Sequence, residues 1–139
     1  MKKILILDID GVVNCKTSAA FKDSMFAIDP YMAFLVGKIV LDTGCEVILS
    51  SSWKHSKEGI DEVEKRVCKI LGTTPDSENG FRGDEINMWL AQRTDIGRFA
   101  ILDDDSDFYP EQIPYLFKTT WDKGITPEIA GEITKYLNS

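Results

Sequence analysis

The sequence has few of the residues that build disulfide frameworks and zinc sites. Its 139 residues include three cysteines and one histidine. Cys15, Cys45 and Cys68 are odd in number and widely spaced, and the sequence contains no C-x-x-C pair and no Cys/His cluster. This pattern argues against a disulfide scaffold and a zinc site, and it favours free thiols in a reducing cytosol. We therefore expect a cytoplasmic protein.

Long apolar runs are also missing. No apolar stretch approaches the length of a membrane span. The first residues, Met-Lys-Lys followed by an apolar run, resemble the start of a signal peptide. Asp8 and Asp10 interrupt that run too early for the apolar region of such a peptide. We expect neither a signal peptide nor a membrane partner.

Positive charge is scarce. Sixteen Lys and Arg residues stand against 23 Asp and Glu residues, which gives a formal net charge of -7. Binding along duplex DNA needs a basic face, so no extended duplex binding is expected. A single phosphate-bearing end, bound through a metal, remains compatible with this charge balance. The sequence leaves the oligomeric state open.

Apolar segments with strand character alternate with segments of helical pattern. Short apolar runs predict buried strands, and capping residues mark the helices, as at Asp29-Pro30 and Gly44. This alternation is typical of an α/β domain with a mainly parallel sheet, and the length suits a single domain over residues 1–139. The predicted strands are 3–9, 46–50 and 98–102. The predicted helices are 30–43, 57–71, 84–93 and 127–138. The predicted loops are 14–28, 72–83 and 108–120, the last with a short strand near 115–119.

Three polar segments each follow a predicted buried strand: Asp8-Ile9-Asp10, Ser50-Ser51-Ser52 and the acidic run 103–107. Each alone is common in a solvated turn. In an open parallel sheet, however, ligands bind beyond the carboxyl ends of the strands, so all three segments are expected at one edge. Clustered carboxylates repel one another unless a cation lies among them, and oxygen ligands suit Mg²⁺. The joint placement predicts a functional site.

These motifs resemble those of the haloacid dehalogenase (HAD) superfamily of phosphotransferases. The family's first motif is a strand ending in D-x-D-G, its second a strand ending in Ser or Thr, and its last a strand ending in paired acids. More narrowly, the segments LDIDGVVN, VILSSSW, RGDEINMWL and AILDDDSDF resemble the small subgroup associated with RNA-repair proteins. The resemblance implies a three-layer, Rossmann-like (HAD-like) fold, in which helices flank a mainly parallel central sheet.

The resemblance also implies roles for individual residues. Asp8 is expected to be the nucleophile that forms an aspartyl-phosphate, and Asp10 the acid and base that moves the proton. Ser51 is expected to hydrogen-bond the transferring phosphoryl group, with Ser50 as the competing register. Further substrate contacts are expected from Ser52, Trp53, Lys54 and Gly11.

A Mg²⁺ site is implied at the same place. The Asp8 carboxylate, the Asp10 carbonyl and an acid of the last motif are expected to hold the ion. Asp104 is the first choice for that acid and Asp103 the second. Asp107 is expected to reach the ion through water.

The family's third motif is usually a lysine, and the sequence has no lysine between Lys69 and Asp103. Arg82 lies at a suitable distance before the last motif and offers a two-pronged donor for phosphate. Lys54 is the alternative cation. His55 and Trp89 are weaker candidates for substrate contact, since a surface histidine and a core tryptophan are the commoner cases.

No segment between the motifs is long enough for a separate cap domain, so the predicted site is open to the end of a large molecule. We expect a phosphatase that removes a terminal 3′-phosphate from a polynucleotide, and the alternative is a 5′-nucleotidase-type enzyme for small nucleotides. A phospho-receiver domain and a non-catalytic phospho-binding module are the alternatives from other classes. A flap over residues 14–28 is expected to contact substrate through Lys16, Phe21, Lys22 and Phe26.

Overall fold

The structure is a computed structural model, and it describes residues 1–18 and 26–139. Five strands and four helices alternate along these residues, with short 3₁₀ helices at Ser52–His55 and Pro110–Tyr115. The strands are β1 (Lys2–Leu7), β2 (Glu46–Leu49), β3 (Gly72–Thr73), β4 (Ile96–Asp103) and β5 (Leu116–Lys118). The helices are α1 (Pro30–Thr43), α2 (Lys57–Arg66), α3 (Arg82–Ala91) and α4 (Pro127–Leu137).

The five strands form one sheet in the order β3-β2-β1-β4-β5, and every neighbouring pair is parallel. The central strand, β1, pairs with β2 on one side and with β4 on the other. All carboxyl ends therefore lie at one edge of the sheet, as the sequence predicts for an α/β domain.

The two faces of the sheet contribute to different cores. Leu5 and Leu7 of β1 belong to a large cluster that includes residues of α1, α2 and α4. Ile4 and Ile6 belong to a smaller cluster with Ile86 of α3. Alternate residues of a strand point to opposite faces, so the apolar residues 4–7 of β1 are buried between two helical layers.

The largest differences between the predicted and observed elements lie around α2, β3 and α3. The helix predicted over 57–71 ends at Arg66, because residues beyond it pair with β2: Leu71 N–H donates to the Val47 carbonyl and Thr74 N–H to the Leu49 carbonyl. The segment predicted as loop from residue 72 therefore contains β3. The helix predicted over 84–93 begins two residues earlier, at Arg82.

The described residues contain no inserted cap domain between β1 and β4, and this agrees with the open site predicted from the sequence. None of the helices in residues 1–18 and 26–139 has the length and apolar character needed to cross a bilayer.

Candidate active site

Backbone hydrogen bonds bring the ends of the three central strands together. Asp8 N–H donates to the Leu102 carbonyl at 3.0 Å, and Ser50 N–H donates to the Leu7 carbonyl at 2.8 Å. The first residue after β1 thus lies beside the end of β4, and the first residue after β2 lies beside the end of β1. The sheet itself places the three polar segments predicted from the sequence at one edge.

The acids form a compact cluster at this edge. One carboxylate oxygen from each of Asp8, Asp103 and Asp104 lies within 4.8 Å of the other two. Asp8 and Asp103 are buried, with 5% and 1% of their surface exposed. Like charges at this separation repel strongly in a poorly solvated site, so the cluster needs a cation.

Arg82 supplies one positive charge. Its Nη1 atom lies 2.7 Å from Asp103 Oδ2 and 3.1 Å from Asp8 Oδ1. The guanidinium side chain is 20% exposed, so it faces both the acids and the solvent. The structure therefore brings Arg82 into the cluster with the acids of the first and last motifs.

Gly11 allows Asp104 to approach. Gly11 has a φ of 81°, a left-handed conformation that side chains disfavour. A Cβ atom added to Gly11 would lie 2.0 Å from Asp104 Oδ2. Gly11 therefore makes room for the third acid, which is a structural role beside the substrate contact predicted for it.

Burial and crowding change the acidity of the cluster. Burial, reinforced by the carboxylate of Asp103, raises the pKa of Asp8 to about 9, although Arg82 opposes this shift. Burial also raises the pKa of Asp103, again against the effect of Arg82. Burial alone would lower the pKa of Arg82, but the two carboxylates outweigh it and raise that pKa above its usual value. Without a further cation, Asp8 therefore keeps its proton at neutral pH.

This shift predicts a pH-dependent stability in the metal-free protein. The pKa of Asp8 is about 9 in the folded protein against 3.8 for a free carboxyl, so between these values the folded state holds a proton that the unfolded state has lost. The contribution to stability is complete below about pH 4 and is lost as the pH rises towards about 9, by at most about 1.4 kcal/mol per pH unit. Urea unfolding in the presence of a chelator, at pH values from 5 to 9, measures this change in the free energy of unfolding.

Asp8→Asn should remove this part of the pH dependence, so the variant should gain stability over the parent as the pH rises. Asp61→Asn, a change at an exposed acid on α2, serves as the control and should follow the parent. Parallel curves for Asp8→Asn and the parent would contradict the prediction.

The three serines after β2 occupy different environments. Ser51 Oγ accepts the N–H of Trp53 at 3.2 Å and caps the 3₁₀ helix that follows. Ser52 is exposed. Ser50 is 3% exposed, and its Oγ has no hydrogen-bond partner within the described residues. A buried hydroxyl without a partner is costly, so Ser50 is available to a ligand.

The ammonium group of Lys54 is already surrounded by oxygen atoms of the protein. Its ammonium lies 3.1 Å from Glu85 Oε1 and 3.0 Å from the Thr74 carbonyl, and its side chain is 6% exposed. Asp76 Oδ1 lies 3.2 Å away. Lys54 therefore joins the serine loop to α3 and to the segment after β3. Of the two candidate cations, Arg82 is the one that contacts the acids.

A cavity of about 420 Å³ lies beside the serines. Arg82 and Lys54 line it together with His55 and Asp76, whose side chains are more exposed. His55 Nε2 is 2.8 Å from Asp76 Oδ1, with both side chains more than half exposed. The sole histidine thus borders the cavity and is not part of the acid cluster.

The remaining predicted site residues lie outside the acid cluster. Asp107 Oδ2 accepts the N–H of Arg82 at 3.2 Å, and this bond starts α3. Asp107 Oδ1 is buried and has no hydrogen-bond partner in the described part of the chain. Trp53 is buried, with its indole N–H 3.3 Å from Asp10 Oδ2. Trp89 is buried in the smaller core, away from these contacts.

Part of the predicted flap can be located. Phe26 packs edge-to-face on Trp53 with ring centroids 5.0 Å apart. Lys16 pairs with Asp122 at 2.9 Å in an exposed position. Phe21 and Lys22 lie outside the described residues.

Three residues that sequence reasoning did not assign support the site. Glu85 accepts from Lys54, and Thr119 Oγ1 donates to the Gly11 carbonyl at 2.6 Å. Asn14 Nδ2 donates to Asp10 Oδ1 at 3.0 Å. Asn14 lies within LDIDGVVN and Glu85 within RGDEINMWL, two of the segments that resemble the RNA-repair subgroup. This resemblance is the sequence feature that could have identified both residues. Nothing in the local sequence marks Thr119.

The parallel sheet, the acid cluster at its carboxyl edge and the bridging arginine together define a HAD-like domain. A family model described as the HAD domain in Swiss Army Knife RNA repair proteins matches residues 4–130. The chain belongs to this family. Searches of curated proteins and of solved structures found no match. The HAD-like fold predicted from the motifs is confirmed, and family membership favours a phosphatase-type hydrolase.

Proposed function

We propose that the chain is a Mg²⁺-dependent phosphomonoesterase that works through a phosphorylated Asp8. The observation that carries this proposal is the contact of Arg82 with both Asp8 and Asp103 at the carboxyl edge of the sheet. In this proposal, a nucleophilic carboxylate, further acids and a fixed positive charge lie within reach of one phosphoryl group. Such a combination suits the transfer of a phosphoryl group, whose charge must be neutralised in the transition state.

The donor set fits Mg²⁺. Asp8, Asp103 and Asp104 offer three carboxylate oxygens at one point, and carboxylates are ligands that Mg²⁺ prefers. The Asp10 carbonyl is the further ligand we propose, and Asp107 acts through water with its unpartnered oxygen. When bound, the ion favours the ionised form of Asp8 and neutralises phosphoryl charge.

The residues divide the reaction into two transfers. In the first, an Asp8 oxygen bonds to phosphorus, the bond from phosphorus to the leaving oxygen breaks, and Asp10 gives its proton to that oxygen. In the second, Asp10 takes a proton from water as the water oxygen attacks phosphorus. The bond between phosphorus and Asp8 then breaks and releases inorganic phosphate.

Arg82 and the serine loop bind the phosphoryl oxygens. Arg82 has a two-pronged guanidinium that is partly exposed, whereas the Lys54 ammonium is already surrounded by protein oxygens. We therefore assign the third motif to Arg82. We assign Lys54 to holding the serine loop against α3.

Within the serine loop, we assign the phosphoryl hydrogen bond to Ser50 and the capping role to Ser51. Ser50→Ala should lower kcat/KM by about 10²- to 10³-fold, the usual loss when one donor to a developing charge is removed. Ser51→Ala should mainly lower stability, by about 1 kcal/mol, because it removes a cap. Steady-state kinetics and urea unfolding of both variants measure the two effects. The reverse pattern would return the role to Ser51.

The proposed substrate is a polynucleotide with a terminal 3′-phosphate. Two observations support it: the family is that of RNA repair proteins, and the described residues contain no cap domain that would enclose a small substrate. The net charge of -7 favours the alternative, a small nucleotide, because a long polyanion is repelled more strongly.

A phosphate-release screen with Mg²⁺ distinguishes these substrates. It compares RNA and DNA oligomers phosphorylated at the 3′ or the 5′ end, nucleoside 3′- and 5′-monophosphates and an aryl phosphate. We expect the highest kcat/KM for a 3′-phosphorylated oligomer. Preference for a nucleoside 5′-monophosphate would support the alternative, and no turnover of any ester, with Mg²⁺ binding retained, would indicate a non-catalytic phospho-binding module.

A further inference from the structure

The carboxylate of Asp10 is held by two donors, one on each oxygen. Asn14 Nδ2 donates to Oδ1 at 3.0 Å, and Trp53 Nε1 donates to Oδ2 at 3.3 Å. Asp10 itself is exposed, whereas Asn14 is fully buried and Trp53 is 6% exposed. An exposed acid is thus fixed by two buried side chains.

Each donor is fixed in turn by its own contacts. Asn14 Oδ1 accepts the N–H of Gly11 at 2.9 Å, and Asn14 Nδ2 also donates to the Ala27 carbonyl at 2.8 Å. Trp53 is held through its backbone by the Ser51 cap and through its ring by the edge-to-face contact with Phe26. Neither side chain can turn away from Asp10 without losing these contacts.

We propose that Trp53 and Asn14 are positioning residues that hold Asp10 in the orientation for proton transfer. The inference rests on the proposed function, because it assigns Asp10 the proton. The shorter bond from Asn14 anchors Oδ1. Oδ2, with the longer bond from the indole, is the oxygen that gives its proton to the leaving oxygen as the ester bond breaks. The same oxygen then takes a proton from the attacking water.

The placement of Trp53 argues for this role over the substrate contact predicted from the sequence, which a tryptophan makes by stacking on a base. A stacking platform must offer a free ring face, and only 6% of Trp53 is exposed. Its polar N–H is directed to a carboxylate that has a role in the proposed reaction.

Trp53→Phe tests the proposal, because it keeps an aromatic ring against Phe26 and removes only the N–H donor and part of the ring. The probes are phenyl phosphate and 4-nitrophenyl phosphate. The phenolate of the first is the poorer leaving group and depends more on protonation by Asp10. We expect kcat/KM for phenyl phosphate to fall about tenfold, and that for 4-nitrophenyl phosphate to fall less than about threefold. Asp10→Asn should show the same selectivity to a greater degree.

Trp89→Phe is the matched control, since Trp89 is equally buried but lies in the other core, and it should leave both values unchanged. A second readout is independent of turnover. In ¹⁵N-labelled protein, Asp10→Asn should shift the indole N–H resonance of Trp53 and not that of Trp89.

The outcomes separate the two hypotheses. An equal fall for both esters, or no fall for either, would overturn the positioning role while phosphatase activity stands. An indole resonance that does not respond to Asp10→Asn would overturn the contact itself. A parent that hydrolyses neither ester, nor any substrate of the phosphate-release screen, would overturn the proposed function and the positioning role with it, even if the indole resonance responds.

Discussion

Asp8→Asn should abolish phosphate release from every ester that the parent hydrolyses, with a loss of about 10⁴-fold or more, as is typical when a nucleophile is removed. The amide keeps the shape of the carboxyl group but cannot form the bond to phosphorus. The fold should persist, because Arg82 retains its 2.7 Å contact with Asp103. Phosphate release, and trapping of the phosphorylated protein by acid quench, measure the effect.

The stability of this variant shows whether the loss is chemical. In metal-free buffer near pH 8, Asp8→Asn should unfold at a temperature no lower than the parent, since the pKa of Asp8 is raised by burial and by Asp103. Asp61→Asn should leave both activity and stability unchanged. If Asp8→Asn releases phosphate at a rate near that of the parent, Asp8 is not the nucleophile.

Arg82→Ala should have the second-largest effect, because it removes the positive charge from between two buried carboxylates. We expect a loss of about 10²- to 10³-fold in kcat/KM, as for other donors to a developing charge. In metal-free buffer we also expect a loss of roughly 3 kcal/mol in the free energy of unfolding, since breaking the buried ion pair with Asp103 leaves that carboxylate uncompensated. Mg²⁺ should restore part of this stability.

Arg93→Ala is the matched control. Arg93 follows the same helix but pairs with the partly exposed Asp95, so its loss should change little. Arg82→Lys should be intermediate, because lysine keeps the charge and loses the planar pair of donors. Full activity of Arg82→Ala, together with a collapse in Lys54→Ala, would transfer the phosphate-binding role to Lys54.

The main elements of the fold were predictable because their causes are local. An apolar run of residues marks β1, and the Asp29 cap with Pro30 marks the start of α1. The short β3 was not predictable, because it forms where residues after α2 pair with β2, and no local pattern specifies that pairing. The start of α3 at Arg82 likewise depends on Asp107, which is 25 residues distant in the chain.

The candidate site, like the fold, could be predicted from the sequence only in part. Strand ends followed by acids and serines predicted which segments meet. The absence of lysine between Lys69 and Asp103 made Arg82 the first candidate for the cation of the third motif. The sequence could not show which serine is free to bind a phosphoryl group. Ser50 and Ser51 are the same residue type and differ only in the hydrogen bonds of their hydroxyl groups. The contacts of Asp10 with Asn14 and Trp53 join residues across the fold, and the types of these residues do not specify such contacts.

The central position of β1 has a consequence for how the chain is made. β1 is synthesised before its partner β4, which ends at Asp103, so one edge of an apolar strand stays uncovered while about 95 residues are added. At typical rates of synthesis this takes roughly 5 to 20 s, a period in which the nascent chain is open to aggregation and to chaperones. Asp8 and the acids at the end of β4 are likewise brought together only when β4 pairs with β1. A nascent chain that ends before β4 therefore carries Asp8, the proposed nucleophile, without Asp103 and Asp104.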